Sequence, residues 1–392
     1  MNVKNSTILK LEWALLLGVA ATLASASATS APDGAALSAR VDAVVQQQMK
    51  DQKIPGLSLA VVRSGQVIKA KGYGYANLEV RAPTRVDTIF PAGSITKQFT
   101  ATAIMLLVEQ GRLKLDDSIV KYFPEAPAAW KPITIRHLLT HSSGIPDIFG
   151  STEQTLYTKG IIDFHREYTE DELAHAYFAQ PLDFPPGTRA SYSNSGYQML
   201  GFLIHRITGT YYGDFFREHF LAPLGMTTTT IFSYVDVVPN RASGYEVVNG
   251  AYRNVWLWQS VSTLSNAEGS LLMSVLDLAK WDAALNTEHI VKRSSLETMW
   301  TSVPLDDGSG SAYQGGMGWY IANAHRHRIV FHTGGGFGFY AVISRYLDDR
   351  FTVIVMTNID ERHADVLKIA GEVAEIYLPD TKCANPIKDW QD

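Results

Sequence analysis

The 392-residue chain has a single cysteine, Cys383, so no intrachain disulfide can form and no cysteine-based metal site can be built. It contains no G-x-S-x-G nucleophile elbow, which removes the serine placement used by α/β-hydrolases. His137 and His141 stand at i, i+4, but the stretch reads HLLTH and lacks the glutamate of a zinc-binding H-E-x-x-H helix. No metal or cofactor is therefore expected. Basic charge is not in excess: 34 Lys and Arg stand against 39 Asp and Glu, a net charge of −5. That leaves no broad positive field for nucleic acid or an anionic membrane surface. Internal repeats, low-complexity segments and heptad runs are also missing. What the chain does have is an apolar fraction of 46%, enough to fill a substantial core. A globular protein acting on a small-molecule or peptide substrate is expected, with its oligomeric state open.

One apolar run stands apart. Lys4 and Lys10 precede an apolar stretch from Trp13 to Leu23, with Glu12 beside it, and the small residues Ala24 to Ala28 follow. This order predicts a signal peptide over residues 1–28, cleaved after Ala26 or Ala28. The run is shorter than the ~20 residues that span a bilayer, so no stable membrane insertion is expected after cleavage. No cysteine follows it to carry a lipid. The mature chain is expected to be exported, periplasmic or secreted.

Val41, Val44, Val45 and Met49 recur at helical spacing and predict an amphipathic helix over 38–52. LSLAVVR and QVIKAKGYGYA flank Ser64-Gly65 as a hairpin. GWYIANA, RIVFHTG, FYAVISRY and FTVIVMTN supply further strands near the C-terminus. A last helix carries Val366, Ile369, Ala370, Val373 and Ile376 on one face. The middle reads as helical. Thr169 and Glu172 form a capping-box pair, Ser274 can cap VLDLAKWDAAL, and Gly209 stops SGYQMLGFLIHRITG. The implied fold class is α+β: an antiparallel sheet from both chain ends, flanked by helices, with a helical region inserted and a site at the junction. The sheet region is set at about 37–95 and 290–379, the helical region at about 96–289, and a tail at 380–392.

The chemistry is carried by three short stretches. In PAGSITKQFTA, Ser94 and Lys97 stand three apart before the apolar run Phe99 to Leu107. On a helix they share a face, with Ser94 at the N-terminus where free N–H groups favour negative charge. A desolvated lysine loses its proton readily and can take the serine proton, while the Ser94 N–H can help hold an oxyanion. In PPGTRASYSNSGYQ, Tyr192 and Asn194 follow a Pro-Pro-Gly turn. A tyrosine beside an ammonium can be held partly as phenolate and pass protons, and Asn194 can bind lysine or a substrate amide. A buried tyrosine and a helix-capping asparagine fit the same residues. In FHTGGGFG, His332, Thr333 and Gly334 end an apolar strand, and the glycines let backbone approach a ligand. As part of a site, His332 and Thr333 orient a leaving group or carboxylate, and the Gly335 N–H completes an oxyanion hole.

Together, in this order, the three stretches resemble the penicillin-recognising serine hydrolases, in the class C β-lactamase and D,D-peptidase branch, with S-x-x-K, Y-x-N and K-T-G or H-T-G. The resemblance covers about residues 37–379, and IPGLSLAVV, TIRHLLTHSSGIPD, RASGYE, AEGSLLMSVLDLAKW and GGMGW agree with it. It implies a β-lactamase/transpeptidase-like fold, with a five-stranded antiparallel sheet between helices and a helical lobe. It also implies that Ser94 is acylated and that Lys97 acts as base with Tyr192, which protonates the leaving group and later activates water. Asn194, His332, Thr333 and Gly334 then bind substrate, and the N–H groups of Ser94 and Gly335 form the oxyanion hole.

The third motif departs from class C β-lactamases, which generally carry lysine where His332 stands. Histidine is largely neutral near pH 7 and attracts a carboxylate less. The H-T-G form resembles the esterase, D-aminopeptidase and carboxypeptidase members. The expectation is an exported serine hydrolase acting through an acyl-enzyme on an ester, D-amino-acid amide or peptide. A β-lactamase and a non-catalytic binding or assembly scaffold stand as alternatives. Of the remaining residues, His141 is expected to pack or cap near the site, and HRHR at 325–328 to be a solvated hairpin turn. Trp256 and Trp258 are expected in the core, or lining an acyl pocket.

Overall fold

The computed structural model describes residues 34–149, 155–163, 165–233, 235–255, 267–309 and 315–378. The expected signal peptide, Trp256, Trp258, Cys383 and the tail lie outside the described residues.

In chain order the elements are α1 (Gly34–Asp51), β1 (Gly56–Arg63), β2 (Gln66–Asn77), β3 (Ala82–Pro83), β4 (Phe90–Pro91), α2 (Thr96–Glu109) and α3 (Ile135–Leu139). Then come α4 (Glu170–Phe178), α5 (Asn194–Thr208), α6 (Tyr212–Phe216), β5 (Thr230–Ile231), β6 (Tyr245–Val248), β7 (Ala251–Asn254) and β8 (Leu271–Met273). The last are α7 (Val275–Ala284), α8 (Arg293–Met299), β9 (Tyr320–Ala324), β10 (His327–Gly336), β11 (Phe339–Tyr346), β12 (Phe351–Thr357) and α9 (Val366–Tyr377).

The main sheet is antiparallel in the order β3-β2-β1-β12-β11-β10-β9. It has seven strands where the resemblance implied five. The β1–β2 turn is the Ser64-Gly65 pair, both at positive φ (50° and 78°), as a two-residue hairpin turn requires. Strands from the two chain ends meet at β1 and β12, in register from Leu57↔Thr357 to Arg63↔Phe351. Seven of the eight β1 residues and all of β12 are buried, because both faces of this seam are covered. Leu57, Leu59, Val61, Val353 and Val355 face α1 and α9, which contribute Val41, Val45, Val366, Ile369 and Val373. Ala60, Val62, Ile354 and Met356 face the helical layer. Each such fully buried aliphatic side chain contributes on the order of 1.5–3 kcal/mol, so the seam holds the chain ends together.

At the centre of the helical layer is α2, buried on nearly every side. Phe99 stacks on Trp281 of α7 with ring centroids 3.9 Å apart. A buried ion pair ties the sheet to α7: Arg345 Nε on β11 donates to Asp282 Oδ1 at 2.6 Å, and Thr352 Oγ1 donates to the same oxygen. The caps read from sequence are formed: Thr169 and Glu172 close a capping box on α4, Ser274 accepts from Asp277 N, and Gly209 ends α5 in the left-handed conformation.

HRHR departs from its expectation. His325 has a positive φ in the β9–β10 turn, but His327 belongs to β10 and is buried. Its Nδ1 lies 2.5 Å from Asp349 Oδ2 of the next turn, a partner that offsets its desolvation.

Candidate active site

Ser94 occupies a 3-10 turn, Gly93–Ile95, that runs directly into α2. It is half-buried, while Lys97, one turn on, is fully buried. The i, i+3 relation brings Lys97 Nζ to 3.0 Å from Ser94 Oγ. Nζ also donates to Asn194 Oδ1 at 2.8 Å and to the backbone oxygen of Glu268 at 2.9 Å. An ammonium there makes three hydrogen bonds. A neutral amine keeps two and turns its lone pair to the Ser94 hydroxyl, the arrangement a base requires.

Burial pushes Lys97 down to about 7, against the opposing pull of the Glu268 and Asp147 carboxylates. Glu268 is buried behind it and is pushed up to about 7 by desolvation, with Lys97 drawing it back. Its Oε1 accepts from Gln198 Nε2 at 3.0 Å. Asp147, raised to about 6 by burial, holds the start of α5. Its Oδ1 accepts from the backbone N–H of Asn194 (2.6 Å) and Ser195 (3.2 Å), while Oδ2 accepts from Asn194 Nδ2 at 3.2 Å. Phe149 O takes the other Nδ2 proton. With both amide protons engaged, Asn194 must present Oδ1 to Lys97. The cap of α5 is Ser193, whose Oγ accepts from Gly196 N.

Tyr192 precedes this cap. Its ring stacks on His141 (centroids 4.5 Å apart, planes at 29°) and lies 4.7 Å from Lys97 Nζ, with the Ser94 side chain beside its hydroxyl. Burial holds Tyr192 well above the ordinary phenol range. It therefore rests as a phenol, not as the partial phenolate expected from the neighbouring ammonium: desolvation penalises the anion more than Lys97 favours it. His141 sits at φ 59° and accepts from Ser193 N at 3.0 Å through Nδ1. It is a packing and capping residue for the tyrosine loop. His137 closes the capping box of α3 with Thr134.

β10 runs alongside. Its pairing with β9 ends at Phe331↔Tyr320, and beyond that point the Gly93–Ile95 turn lies against it. A Cβ on Gly334 would stand 1.8 Å from Ala92 O and 3.0 Å from Ser94 N, and one on Gly93 would stand 3.0 Å from Gly335 N. The glycines are what allow two backbones to come this close. His332 is buried, with Nδ1 2.6 Å from Thr333 O, and burial followed by Lys97 lowers it to about 3. Its ring lies 4.7 Å from that of Tyr320 and 6.4 Å from that of Tyr192. Tyr340 stands beside the Thr333 side chain.

The fold thus gathers Ser94, Lys97 and Asn194 into one hydrogen-bonded group with the Tyr192 ring over Lys97, and sets Gly334 against Ser94 and Gly335 against Gly93. His332 and Thr333 border this group and are held by their own strand and its neighbours. Asp147, Glu268 and Gln198 were not singled out from sequence. Asp147 and Glu268 fall within stretches that agreed with the family pattern, and each is an isolated acid among uncharged residues, the signal that could have marked them.

The model of the Beta-lactamase family matches residues 41–378. Penicillin-binding protein 4* of Bacillus subtilis (strain 168) is 28% identical over 318 residues, covering 78% of this chain and 68% of the relative. The chain spans about two thirds of the length of the curated relatives it matches. Among solved structures, the octameric penicillin-binding protein homologue from Pyrococcus abyssi superposes with a TM-score of 0.73 at 32% identity, covering 88% of this chain and 78% of that one. The D-amino acid amidase from Ochrobactrum anthropi SV3 gives 0.74 at 25% identity, covering 87% and 98%. With a family model running from α1 to the end of α9 and relatives alike over most of that span, this chain belongs to the Beta-lactamase family and is a serine hydrolase of the β-lactamase/transpeptidase-like fold.

Proposed function

We propose that Ser94 is the acylated nucleophile and that the enzyme hydrolyses esters, D-amino-acid amides or short peptides. The observation that carries this reading is the 3.0 Å contact between Ser94 Oγ and a fully buried Lys97 whose proton is held near neutrality. Neutral Lys97 takes the Ser94 proton as Oγ attacks the substrate carbonyl. The oxyanion forms against the N–H groups of Ser94 and Gly335. Tyr192 gives its hydroxyl proton to the leaving oxygen or nitrogen and is refilled from Lys97, which returns that lysine to the neutral state. In the second half, water loses a proton through Tyr192 to Lys97 and attacks the acyl carbon. The proton then returns to Ser94 Oγ as the ester bond breaks. Asn194 holds Lys97 on line, and Thr333 and Gly334 line the substrate edge.

His332, neutral at working pH, offers no cation to a carboxylate. That supports the ester, amide and peptide reading over β-lactam hydrolysis, which would use the same Ser94 chemistry. The relative described as a D-amino acid amidase supports it too. The N-terminal segment supports export, and no helix among the described residues is long and apolar enough to cross a membrane.

Incubation with a fluorophosphonate is expected to add mass to Ser94, and a folded but unlabelled protein refutes the reading. Parallel assays with p-nitrophenyl esters, D-alanyl amides, D-Ala-D-Ala peptides and a cephalosporin, with Ser94→Ala as control, then rank the substrates. N-terminal sequencing of the mature protein tests cleavage after Ala26 or Ala28.

A further inference from the structure

The turn after β12 folds back on the glycines of β10. Glu361 Oε2 lies 2.0 Å and its Cδ 3.2 Å from where a Cβ on Gly335 would stand, with Tyr340 Cδ2 at 3.3 Å. Bond lengths of about 1.5 Å then put this oxygen no more than about 3.5 Å from Gly335 Cα, and within about 5 Å of its N–H. Successive strand residues face opposite ways. The bare side of Gly334 meets Ala92 and Ser94, and the bare side of Gly335 meets Glu361. A substrate lying along the edge of β10 that β9 leaves unpaired has Ser94 on one side and the Glu361 carboxylate on the other.

Burial, and then the neighbouring Asp360, push the Glu361 carboxyl up from the usual carboxylate range, while Arg362 draws it back. Among the described residues no hydrogen bond or ion pair engages its carboxylate. Arg362, its chain neighbour, is taken by Asp360 and Glu246, and Asp360 is taken again by His363. Lys97 is spent on three acceptors beneath Ser94. Among the described residues, the charge presented at this side of the β10 edge is therefore the Glu361 carboxylate, on an exposed side chain lying against bare backbone.

We infer that Glu361 is a specificity-determining residue that favours substrates carrying an ammonium group close to the scissile carbonyl and disfavours those carrying a carboxylate there. This rests on the acyl-enzyme reading of Ser94. An amino group on the carbon next to the carbonyl sits two bonds from the atom Ser94 attacks, which brings it within reach of a carboxylate about 5 Å from the oxyanion donor.

The test uses the p-nitroanilides of D-alanine and isobutyric acid and the mono-p-nitroanilide of methylmalonic acid, which carry an ammonium, a methyl and a carboxylate on the same carbon beside the scissile carbonyl. The wild type is expected to rank them ammonium, neutral, anion in kcat/KM. In Glu361→Gln the ratio of the ammonium to the anionic substrate is expected to fall about a hundredfold, about tenfold from each end. Glu361→Lys is expected to invert the order. Equal changes on all three substrates, or an unchanged ratio in both variants, overturn the inference. If a fluorophosphonate leaves the folded wild type unlabelled at Ser94, the acyl-enzyme reading has failed instead. Calorimetric binding of the same compounds to Ser94→Ala, with and without Glu361→Gln, then reads the charge preference without turnover.

Discussion

Replacing Glu268 by glutamine removes a buried carboxylate from behind Lys97 while leaving an oxygen to accept from Gln198 Nε2 and the backbone oxygen that accepts from Lys97. The perturbation is one of charge. Lys97 must be neutral to take the Ser94 proton, so kcat/KM rises with pH as the lysine loses its proton, with a midpoint set near 7 by burial. Glu268, as an anion, favours the ammonium and raises that midpoint. Removing it lowers the midpoint: the acid limb of the profile moves to lower pH and activity persists into more acidic solution. A single charge pair in a protein interior is worth on the order of 1–3 kcal/mol, or about one to two pH units. Because Glu268 is itself raised to about 7, the two groups share a proton near neutrality and titrate together. The wild-type limb is therefore broad, whereas the variant limb steepens to a single ionisation. The assay is kcat/KM for a p-nitrophenyl ester from pH 4.5 to 9, corrected for uncatalysed hydrolysis, with thermal melts at each pH to confirm folding. A midpoint that stays near 7, or rises, refutes the argument that Glu268 holds the proton on Lys97.

Three further outcomes follow from the same geometry. Tyr192→Phe keeps the ring on His141 but removes the hydroxyl proposed to protonate the leaving group. It is expected to lower kcat by about 10²–10⁴-fold in pre-steady-state assays, and wild-type turnover would remove Tyr192 from the relay. Gly334→Ala sets a methyl 1.8 Å from the Ala92 backbone oxygen, which cannot yield as a side chain would. A loss of about 1–3 kcal/mol in denaturant unfolding, together with reduced kcat, is expected, and an unaffected enzyme contradicts the close approach. Arg345→Met strands the buried Asp282 carboxylate and is expected to cost about 3–5 kcal/mol. Adding Asp282→Asn is expected to restore part of the loss, and a double variant weaker than the sum of the singles counts against the pairing.

Much of this architecture was legible because periodicity records which faces are covered. β1 and β12 read as strands since their branched residues are buried on both sides, and α9 reads as a helix since Val366, Ile369, Ala370 and Val373 meet one surface. Ser94 and Lys97 were legible as a pair because three residues on a helix is a local distance. The partners that complete the site are not local: Asn194 lies 97 residues from Lys97 and Glu268 lies 171 away. Asn194 was reached through its motif. Glu268 meets Lys97 through a backbone oxygen, which every residue has, so its trace in the sequence is only an isolated acid among uncharged residues. His327 was misplaced for a related reason: its carboxylate partner stands 22 residues on, in the turn of the next hairpin.

Glu361 shows the limit more sharply. Its contact is made with the bare side of Gly335, and a surface glutamate in a turn looks like any other solvated acid. The trace it leaves is in the strand it touches, where three consecutive glycines end β10. Gly334 is bare because Ala92 and Ser94 need the space, and that requirement follows from the nucleophile. Gly335 is bare on the opposite side, where the end of the Glu361 side chain lies and Ser94 makes no demand. Two adjacent glycines facing opposite ways thus call for two separate neighbours, and only one of them is accounted for by acylation.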